Sequence, residues 1–364
     1  MAVVPFPSYP NQPGRASMLI RAKTKTGAVE FNAEPGESIL YAGLRNGVPL
    51  PYECATGTCG TCKARRGSGD IEVTWPQAPG ASYIKAERGD FLMCQAAAGT
   101  ACDIEIAAAV DLSRAPPHRP VHGSGRIVRI EKLTHDVIAI HVDIGRVISF
   151  RAGQFLVMRI AGVEGYRAYS MVNFAPSTST LEFVIKRKPG GRFCDWLFDG
   201  ARAGAEFDWF GPLGKATFEP AEQRSILAIA GGSGIASIMA ILSLGHQTRH
   251  FDHFDASIFF GVRGNHDVFY AERLNEHAAT FGGRLKVTVA LSHEMPSDEV
   301  KRRYPAIDFA PGFVHEVAGR ELAGKMAGRV AYLAGPPPMV DAAIRMLILQ
   351  GRLPAADVRY DKFG

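Results

Sequence analysis

The sequence predicts a multidomain α+β and α/β protein, and three observations support this fold class. The chain has 364 residues, which is more than a single domain usually holds. A stretch rich in Pro, His and Gly divides it and is typical of a linker. Beyond residue 223, apolar strands alternate with helical stretches, which indicates a parallel sheet. In chain order, we expect a flexible lead (residues 1–17), an α+β domain (18–110), the linker (111–124), an antiparallel β-barrel (125–222) and an α/β domain (223–364).

The first domain follows a β–β–α–loop–β pattern. Residues Met18–Thr24 and Ala28–Ala33 alternate between polar and apolar side chains, as the strands of a hairpin do. Residues Glu37–Asn46 place apolar side chains on one helical face, and Gly47 provides a stop signal. We therefore expect a small sheet with one helix, followed by a long loop.

The two later domains are predicted from different strand patterns. Short β-rich runs in the middle segment favour an antiparallel barrel, with strands at Arg126–Glu131, Val137–Val142, Gln154–Ile160 and Leu181–Arg187. Apolar runs in the last segment favour a parallel sheet, with strands at Ile226–Ala230, Ala256–Gly261, Leu285–Leu291 and Val330–Ala334 and a helix at Met339–Gln350.

Composition and charge exclude several classes of protein. Hydrophobic residues make up 46% and charged residues 21%, which excludes a wholly disordered or fibrous chain. The net charge of +5 is small for this length, so we expect no nucleic-acid partner. The uncharged stretch Ser225–Gly245 contains four glycines and fits a buried strand, turn and helix better than a membrane span. Residues 1–17 lack the apolar region of a signal peptide, and we expect a cytoplasmic protein.

Four of the six cysteines have the spacing of an iron–sulfur site. Cys54, Cys59 and Cys62 follow a C-x4-C-x2-C pattern, and Cys94 lies further along the chain. This is the pattern of plant-type [2Fe–2S] ligands, and two irons need four converging thiolates. Glycines between the cysteines allow unusual backbone angles, so the chain can wrap tightly and point N–H groups at sulfur. We predict these four residues as the cluster ligands.

Alternatives to this ligand set remain open at this point. A zinc site would usually combine a C-x2-C pair with a second short-spaced pair, which the sequence lacks. Unrelated buried thiols would also account for the residues. Cys102, in the strand-like segment ACDIEI, competes with Cys94 as the fourth ligand. We favour Cys94, because Cys102 fits a small core residue.

Two segments of the barrel carry signals for a flavin dinucleotide. In the R-x-Y-S run, Arg167 can hold a phosphate, Tyr169 can stack on a flat ring and Ser170 can bond a flavin nitrogen. The basic, Gly-rich turn Lys186–Cys194 follows, and we expect it to open a helix at about Asp195. Exposed N–H groups at a helix start suit a pyrophosphate. An ordinary solvated basic turn is the alternative.

Two glycine turns in the last domain are typical of a nicotinamide dinucleotide site. Gly231, Gly232 and Gly234 close one strand and open a helix, so a phosphate can approach the backbone closely. The usual third glycine is missing, with Ser237 in its place. The turn at Gly335 ends a later strand, and ligands of open α/β sheets bind at such carboxyl ends.

In this order and spacing, the motifs resemble those of the iron–sulfur flavoprotein reductases of bacterial multicomponent oxygenases. The matching motifs, over residues 18–364, are ECATGTCGTCK with MCQ, RAYS, GGSGIA, GPPPM and a terminal DKF. The resemblance implies a β-grasp ferredoxin domain, an antiparallel β-barrel FAD domain and a parallel-sheet nicotinamide-binding domain. It also implies an NADH-dependent reductase that passes electrons through FAD and a [2Fe–2S] cluster to a terminal Rieske-type or diiron oxygenase.

The resemblance further implies roles for individual residues. Tyr169 would lie on the isoalloxazine ring with Ser170 near its N5, and Phe363 would cover the other flavin face, so these three are the catalytic candidates. Arg167 would complete the first FAD motif. The residues along the FAD pyrophosphate would be Lys186, Gly190, Gly191 and Cys194. The residues around the nicotinamide dinucleotide would be Gly231, Gly232, Gly234, Gly335 and Pro336.

The sequence departs from the family pattern at three positions. Cys194 stands where Ser or Thr is usual, so a hydrogen bond to phosphate would be weaker, because thiols are poor donors. Ser237 replaces a common Pro, which we expect to matter little. Ala334 replaces a Cys that is common beside the nicotinamide. This departure puts the efficiency of hydride transfer in doubt, but not the binding of the cofactors.

Cofactor choice and activity each leave an alternative. NADH is favoured over NADPH, because the segment after the second strand of the last domain offers Arg263 but also Asp267, without a basic cluster for a 2′-phosphate. A related reductase of deoxysugar synthesis shares the domain order. A redox sensor that keeps the fold without fast turnover is the non-enzyme alternative.

Overall fold

Three sheets organise the chain, which we describe from a computed structural model for residues 16–363. The predicted flexible lead, residues 1–17, lies almost entirely outside the described residues. A mixed sheet, an antiparallel sheet and a parallel sheet follow one another along the chain. The predicted fold class is therefore confirmed.

The first domain is a five-stranded mixed sheet with one helix packed on it. Its elements are β1 (Met18–Thr24), β2 (Gly27–Ala33), α1 (Ile39–Arg45), β3 (Lys63–Ser68), β4 (Ile71–Val73), β5 (Asp90–Leu92), β6 (Ala96–Ala98) and β7 (Cys102–Glu105). The strand order is β2-β1-β7-β3-β5, and β4 pairs with β6 separately. The predicted hairpin β1–β2 forms, and β1 also pairs with β7 in parallel.

Helix α1 forms where the sequence predicts a helix. Ser38 caps its first turn, because the side-chain oxygen accepts a hydrogen bond from the Tyr41 amide at 3.2 Å. Every residue from Ile39 to Leu44 is buried. So short a helix is marginal alone, and its stability comes from packing into the core of the sheet.

The second domain is a six-stranded antiparallel sheet that curls toward closure. Its elements are β8 (Val121–Lys132), β9 (Val137–Ile148), β10 (Phe155–Arg159), β11 (Arg167–Ser170), β12 (Thr178–Lys186), α2 (Arg192–Asp195) and β13 (Glu206–Leu213). The strand order is β11-β10-β13-β8-β9-β12. Just beyond edge strand β11, Met171 bridges to Phe183 of the other edge strand, β12, which brings the two edges together as a barrel requires.

Strand β8 corrects part of the predicted linker. It begins at Val121, inside the stretch 111–124 that composition assigned to the linker. Gly123 pairs with Trp209 of β13, and a Cβ at Gly123 would lie 2.4 Å from the Trp209 ring. The glycine therefore makes room for a buried Trp, and glycine content alone was misleading here.

The third domain is a six-stranded, wholly parallel sheet with helices between its strands. Its elements are β14 (Ile226–Gly231), α3 (Ile235–Gln247), β15 (Ala256–Val262), α4 (Ala271–Phe281), β16 (Leu285–Leu291), α5 (Asp298–Arg303), β17 (Asp308–Pro311), α6 (Val314–Glu321), β18 (Val330–Gly335), α7 (Pro337–Leu349) and β19 (Val358–Lys362). The strand order is β17-β16-β15-β14-β18-β19. The order reverses beside β14, and ligands of open α/β sheets bind at such a reversal.

The uncharged stretch Ser225–Gly245 forms β14, a short turn and most of α3, as predicted. All six residues of β14 are buried, which accounts for the apolar run. Among residues 16–363, no helix combines the length and the hydropathy needed to cross a membrane.

The first domain packs against the barrel through a shared apolar core. Phe155, Val157 and Leu213 of the barrel are buried in the same cluster as side chains of the first domain. Tyr41 of α1 stacks on Phe210 of β13, with ring centroids 4.3 Å apart. The two domains are therefore held in a fixed relation by buried contacts.

A buried carboxylate also joins these two domains. Glu37 accepts hydrogen bonds from Arg45 at 2.8 and 2.9 Å, and it lies 2.9 Å from the ring of His122 on β8. Burial alone would raise the pKa of Glu37, but Arg45 and His122 outweigh it and lower the pKa from 4.5 to about 2. The ionised carboxylate thus contributes stability that is fully present above pH 4.5 and is lost as the pH falls toward 2.

We expect Glu37→Gln to lower the free energy of unfolding by about 3 kcal/mol at neutral pH, because it leaves Arg45 without its buried partner. The difference from the parent protein should shrink as the pH falls below about 4.5. Thermal unfolding at a series of pH values measures both effects. Glu34→Gln is the matched control, since Glu34 is partly exposed and lies 3.7 Å from the same Arg45. Equal losses in the two variants would contradict the role given to Glu37.

Candidate functional site

The four predicted cluster ligands converge in the first domain. The Sγ atoms of Cys62 and Cys94 lie 3.3 Å apart, so the distant Cys94 reaches the cysteine loop, residues 54–62. Cys54 and Cys59 influence each other, since Cys59 lowers the pKa of the Cys54 thiol and Cys54 raises the pKa of Cys59. Cys54 also helps to raise the pKa of Cys94, so the two pairs of thiols adjoin each other. Four thiols at one place form the donor set that a [2Fe–2S] cluster requires.

The backbone of the cysteine loop is shaped around sulfur. The amides of Thr56 and Thr58 both donate hydrogen bonds to Cys54 Sγ at 3.4 Å, as the sequence predicted for this loop. Gly57 and Gly60 adopt φ values of +85° and +77°, which L-residues rarely tolerate. A preformed array of N–H groups around sulfur favours the thiolate form that metal ligation needs.

Cys102 lies elsewhere in the first domain. It is a buried residue of β7 that pairs with Ile20 of β1. Burial raises the pKa of its thiol to about 11, with Asp103 as the second cause. Neither cause involves another cysteine, whereas Cys62 is the main cause of the raised pKa of Cys94.

The predicted flavin residues on β11 adjoin the C-terminal Phe363. Ser170 pairs with Phe155 of β10, and the ring of Phe363 lies edge-on to Phe155 with centroids 6.2 Å apart. The Ser170 hydroxyl is buried and has no hydrogen-bond partner among residues 16–363. Buried hydroxyls nearly always have a partner, so this one fits a site that a ligand completes.

The Gly-rich turn lies beside the same strand. Tyr169 lies next to Phe193, with ring centroids 5.6 Å apart, and burial raises the pKa of the Tyr169 phenol. The Cys194 thiol lies 3.7 Å from the carbonyl oxygen of Lys186. The ammonium of Lys186 is ion-paired with Asp136 at 2.8 Å, a contact that the sequence did not predict.

The helix after this turn begins earlier than predicted. Helix α2 starts at Arg192 and ends at Asp195, whereas the expected start was about Asp195. Gly190 adopts φ +70° and Gly191 takes the N-cap position, so the chain turns into the helix directly after the two glycines. The predicted start at about Asp195 was wrong, because Gly190 and Gly191 complete the turn and the helix begins at the next residue.

Arg167 is held at the border between the barrel and the first domain. Its guanidinium donates hydrogen bonds to the carbonyl oxygens of Glu164 and Tyr166 at 3.2 and 3.0 Å. The guanidinium also lies 5.3 Å from the ring of Trp75 in the first domain, within cation–π range. No motif in the sequence singled out Trp75 as a contact residue.

The two glycine turns of the third domain meet at the strand-order reversal. A Cβ at Gly234 would lie 2.2 Å from the Ala334 carbonyl oxygen, and one at Gly335 would lie 3.0 Å from that of Gly231. A Cβ at Gly231 would in turn lie 3.2 Å from Pro336. The structure therefore brings these predicted nicotinamide-site residues together, in a space too narrow for side chains.

The remaining predicted residues of this domain lie around the same edge. Gly232 has φ +53°, and a Cβ there would meet no described atom within 4 Å, so its backbone borders open space. The Ser237 hydroxyl donates a hydrogen bond to the Gly234 carbonyl at 3.2 Å. Arg263 is exposed just after β15, and the Asp267 carboxylate accepts a backbone hydrogen bond within its own turn at 3.0 Å.

The C-terminal strand connects the flavin residues to the cysteine loop. Cys54, Phe363 and Asp361 line one small cleft, and the Tyr360 hydroxyl lies 3.5 Å from the Glu53 carboxylate at its border. Burial, with Glu53 as the second cause, raises the pKa of Asp361 to about 7. The C-terminal strand thus meets the cysteine loop, and the contact joins residues 307 positions apart in the sequence.

Tyr41 is a further residue that sequence reasoning missed. Its hydroxyl donates a hydrogen bond to the Ala55 carbonyl at 2.8 Å, and Ala55 is the residue after Cys54. The same ring stacks on Phe210 of the barrel. Tyr41 therefore ties the cysteine loop to the second domain, although in the sequence it is only one apolar position of a helix.

Comparison with known proteins gives three family matches along the chain. Residues 23–99 match the 2Fe-2S iron-sulfur cluster binding domain. Residues 124–218 match the oxidoreductase FAD-binding domain, and residues 228–345 match the oxidoreductase NAD-binding domain. These matches show the domain order and the cofactors that the motifs predicted: a [2Fe–2S] cluster, FAD and NAD.

Relatives and solved structures match over nearly the full length. The ferredoxin–NAD(P)(+) reductase CarAd of Metapseudomonas resinovorans is 33% identical over 90% of this chain and 95% of the relative. The ferredoxin–NAD(+) reductase component of an alkene monooxygenase system from Xanthobacter autotrophicus is 33% identical over 92% of this chain and 97% of the relative. The solved ferredoxin reductase in carbazole 1,9a-dioxygenase is 29% identical, with a TM-score of 0.78 over 96% of this chain and all of that chain.

Proposed function

The chain belongs to the ferredoxin–NAD(P)+ reductase components of multicomponent oxygenases, and we propose that it carries electrons from NADH through FAD and a [2Fe–2S] cluster to such an oxygenase. One observation carries this proposal best. Cys54 and Phe363 line one cleft, which supports a cluster held close to the flavin site proposed here. Electrons would therefore have only a short distance to cross between the two cofactors.

The residues of this chain would bind, align and shield the cofactors, which supply the redox chemistry themselves. Cys54, Cys59, Cys62 and Cys94 would hold the cluster. Bound FAD would supply the conversion between hydride transfer and single-electron transfer. The unpartnered Ser170 hydroxyl would hydrogen-bond the flavin ring near its N5.

Tyr169 and Phe363 would lie on opposite faces of the flavin. Tyr169 is packed beside Phe193 and lies on the strand of Ser170, which supports a fixed stacking position. The Phe363 amide donates a hydrogen bond to the Gly335 carbonyl at 3.0 Å. Gly335 belongs to the proposed nicotinamide pocket. The Phe363 backbone is therefore held at the pocket where the Phe363 ring would move aside for the nicotinamide.

The other cofactor contacts would come from the two Gly-rich regions. For the FAD phosphates we propose Arg167, Lys186, Gly190, Gly191 and Cys194. For the nicotinamide dinucleotide we propose Gly231, Gly232, Gly234, Arg263, Gly335 and Pro336. NADH would be preferred to NADPH, because a single exposed arginine gives little attraction for a 2′-phosphate. Comparison of kcat/KM for the two nucleotides tests this preference.

A more detailed question is which class of oxygenase accepts the electrons. Among the structural relatives is an Amycolatopsis cytochrome P450 reductase, at 27% identity and a TM-score of 0.77. We accordingly propose an oxygenase partner and test the Rieske-type, diiron and cytochrome P450 classes side by side. A cytoplasmic location suits a protein in which none of the six cysteines, all of them among the described residues, forms a disulfide. Cell fractionation that recovered the protein outside the cytoplasm would contradict this location.

The function is tested by cofactor analysis and turnover of the purified full-length chain. We expect about two iron atoms per chain, one FAD, and sustained NADH-dependent reduction of cytochrome c. Reconstitution with an oxygenase should then couple NADH oxidation to hydroxylation. Bound cofactors without sustained turnover would instead support the redox-sensor alternative.

A further inference from the structure

The two ends of the cysteine loop have different surroundings. At one end, Tyr52 accepts a hydrogen bond from the Gly214 amide of the barrel at 3.1 Å, and Glu53 is contacted by the C-terminal strand. At the other end, Cys59 is only partly buried and Thr61 is exposed. The Tyr52 end therefore faces the flavin domain, and the Thr61 end is where a cluster would be accessible from outside.

An aromatic side chain covers this accessible end. A Cβ at Gly60 would lie 2.9 Å from Tyr83 Cβ and 3.1 Å from Tyr83 Cδ2, so the Tyr83 ring lies directly against Gly60. The segment that carries it is anchored by a hydrogen bond from the Gly80 amide to the Gly57 carbonyl at 2.7 Å. The Tyr83 side chain is nevertheless 66% exposed. Tyrosine is enriched at protein interfaces and among the residues that contribute most to binding there.

Basic residues occur on β3 and on residues 83–90, the segment that carries Tyr83. The exposed ones are Lys63, Arg65, Arg66, Lys85 and Arg88. The two segments are adjacent, since the Arg66 amide donates a hydrogen bond to the Gly89 carbonyl at 2.9 Å. The acidic residues of these segments are Glu87 and Asp90, and Asp90 is ion-paired with Arg65 at 2.9 Å.

The excess of positive charge is local to this surface, because the first domain as a whole has none. Residues 18–110 contain nine Lys and Arg against ten Asp and Glu. Acidic groups also occur nearby on β7, where Glu105 lies opposite Arg65 and 4.0 Å from Lys23. On β3 and residues 83–90, five exposed basic side chains stand against two acidic ones, and with Glu105 of β7 included the count is five to three, which leaves this surface positive.

We propose that this surface, named the Tyr83 surface and made of Tyr83, Lys63, Arg65, Arg66, Lys85 and Arg88, docks an electron acceptor whose own contact face is acidic. The inference rests on the proposed function, because it concerns where electrons leave the chain. Complementary charges speed the encounter of two proteins and orient them, and the effect weakens as salt is added. Docking over Gly60 would bring an acceptor beside Cys59, at the other end of the cysteine loop from the contact between Tyr52 and the barrel.

The test uses two protein acceptors of opposite charge with the full-length holoprotein. Cytochrome b5 serves as the acidic acceptor and cytochrome c as the basic one, each at low and high ionic strength. We expect the double variant Lys85→Glu/Arg88→Glu to lower kcat/KM for cytochrome b5 about tenfold at low salt and to raise it for cytochrome c. The matched control, Lys301→Glu/Arg302→Glu on α5, makes the same change in charge on an exposed helix of the third domain and should alter neither.

Two further measurements separate this proposal from the proposed function. The NADH–ferricyanide activity and the cluster absorbance of the double variant should equal those of the parent protein, because neither requires protein docking. Tyr83→Ala should lower kcat/KM for cytochrome b5 at high salt as well. Unchanged kcat/KM values in both variants, or equal losses in the α5 control, would overturn the docking surface. A parent protein that reduces no acceptor at all would instead overturn the proposed function.

Discussion

Cys94→Ala is expected to abolish the [2Fe–2S] cluster while leaving FAD and its reduction by NADH in place. Cys94 lies 3.3 Å from Cys62, at the point where the four thiols converge, and Ala offers no ligand atom. Changes in the outer shell of a metal site already cost about 10–100-fold in metal affinity, and the loss of a direct ligand costs more. Cytochrome c reduction should therefore fall about 100-fold or more, while ferricyanide reduction by the flavin persists.

Cys102→Ala is the matched control for this variant. Cys102 is equally buried but belongs to the sheet core, where its pKa responds to burial and Asp103 only. Iron content, visible absorbance and flavin content of both variants decide the assignment. A cluster that survived in Cys94→Ala and disappeared in Cys102→Ala would reverse the fourth ligand.

Gly234→Ala is expected to damage the nicotinamide site without affecting the cluster. A Cβ at Gly234 would lie 2.2 Å from the Ala334 carbonyl oxygen and 2.8 Å from the Gly335 amide nitrogen. These are backbone atoms, so relief requires the β14 and β18 turns to separate, and overpacking of this kind costs about 1–3 kcal/mol or more. We expect a lower melting temperature and a KM for NADH raised about tenfold, which corresponds to about 1.4 kcal/mol.

The measurement is steady-state NADH kinetics together with thermal unfolding, with flavin content determined in parallel. Gly283→Ala is the control in the same domain, because a Cβ there would meet no described atom within 4 Å. Its KM and melting temperature should match those of the parent protein. If Gly234→Ala kept the parental KM for NADH, the close contact of the two turns would have no part in nucleotide binding.

Local chemistry was the part of the site that could be predicted from the sequence. The C-x4-C-x2-C spacing reflects how tightly a chain must turn around two irons, and Gly57 and Gly60 do adopt the left-handed angles that this turn needs. The glycine turns after β14 and β18 were likewise predictable, because close backbone approach excludes side chains. Such constraints act over a few residues and therefore leave a pattern in the sequence.

Contacts between domains could not be predicted in this way. Glu37 meets His122, Tyr41 meets Phe210, and each pair joins residues that are far apart in the chain. Tyr41 differs in no local feature from any other buried helix residue. The strand start at Val121 was missed for a related reason: the glycine beside it makes room for the distant Trp209, and composition reports only that a glycine is present.

Rapid-freeze electron paramagnetic resonance after anaerobic mixing with NADH tests the central claim most directly. The claim is that electrons from NADH pass the predicted flavin site and reach the cluster at Cys54, Cys59, Cys62 and Cys94. We predict that the signal of a reduced [2Fe–2S] cluster appears on the timescale of turnover in the parent protein and is absent from Cys94→Ala. Flavin that is reduced by NADH beside a cluster that stays oxidised in the same acceptor-free samples would contradict this route.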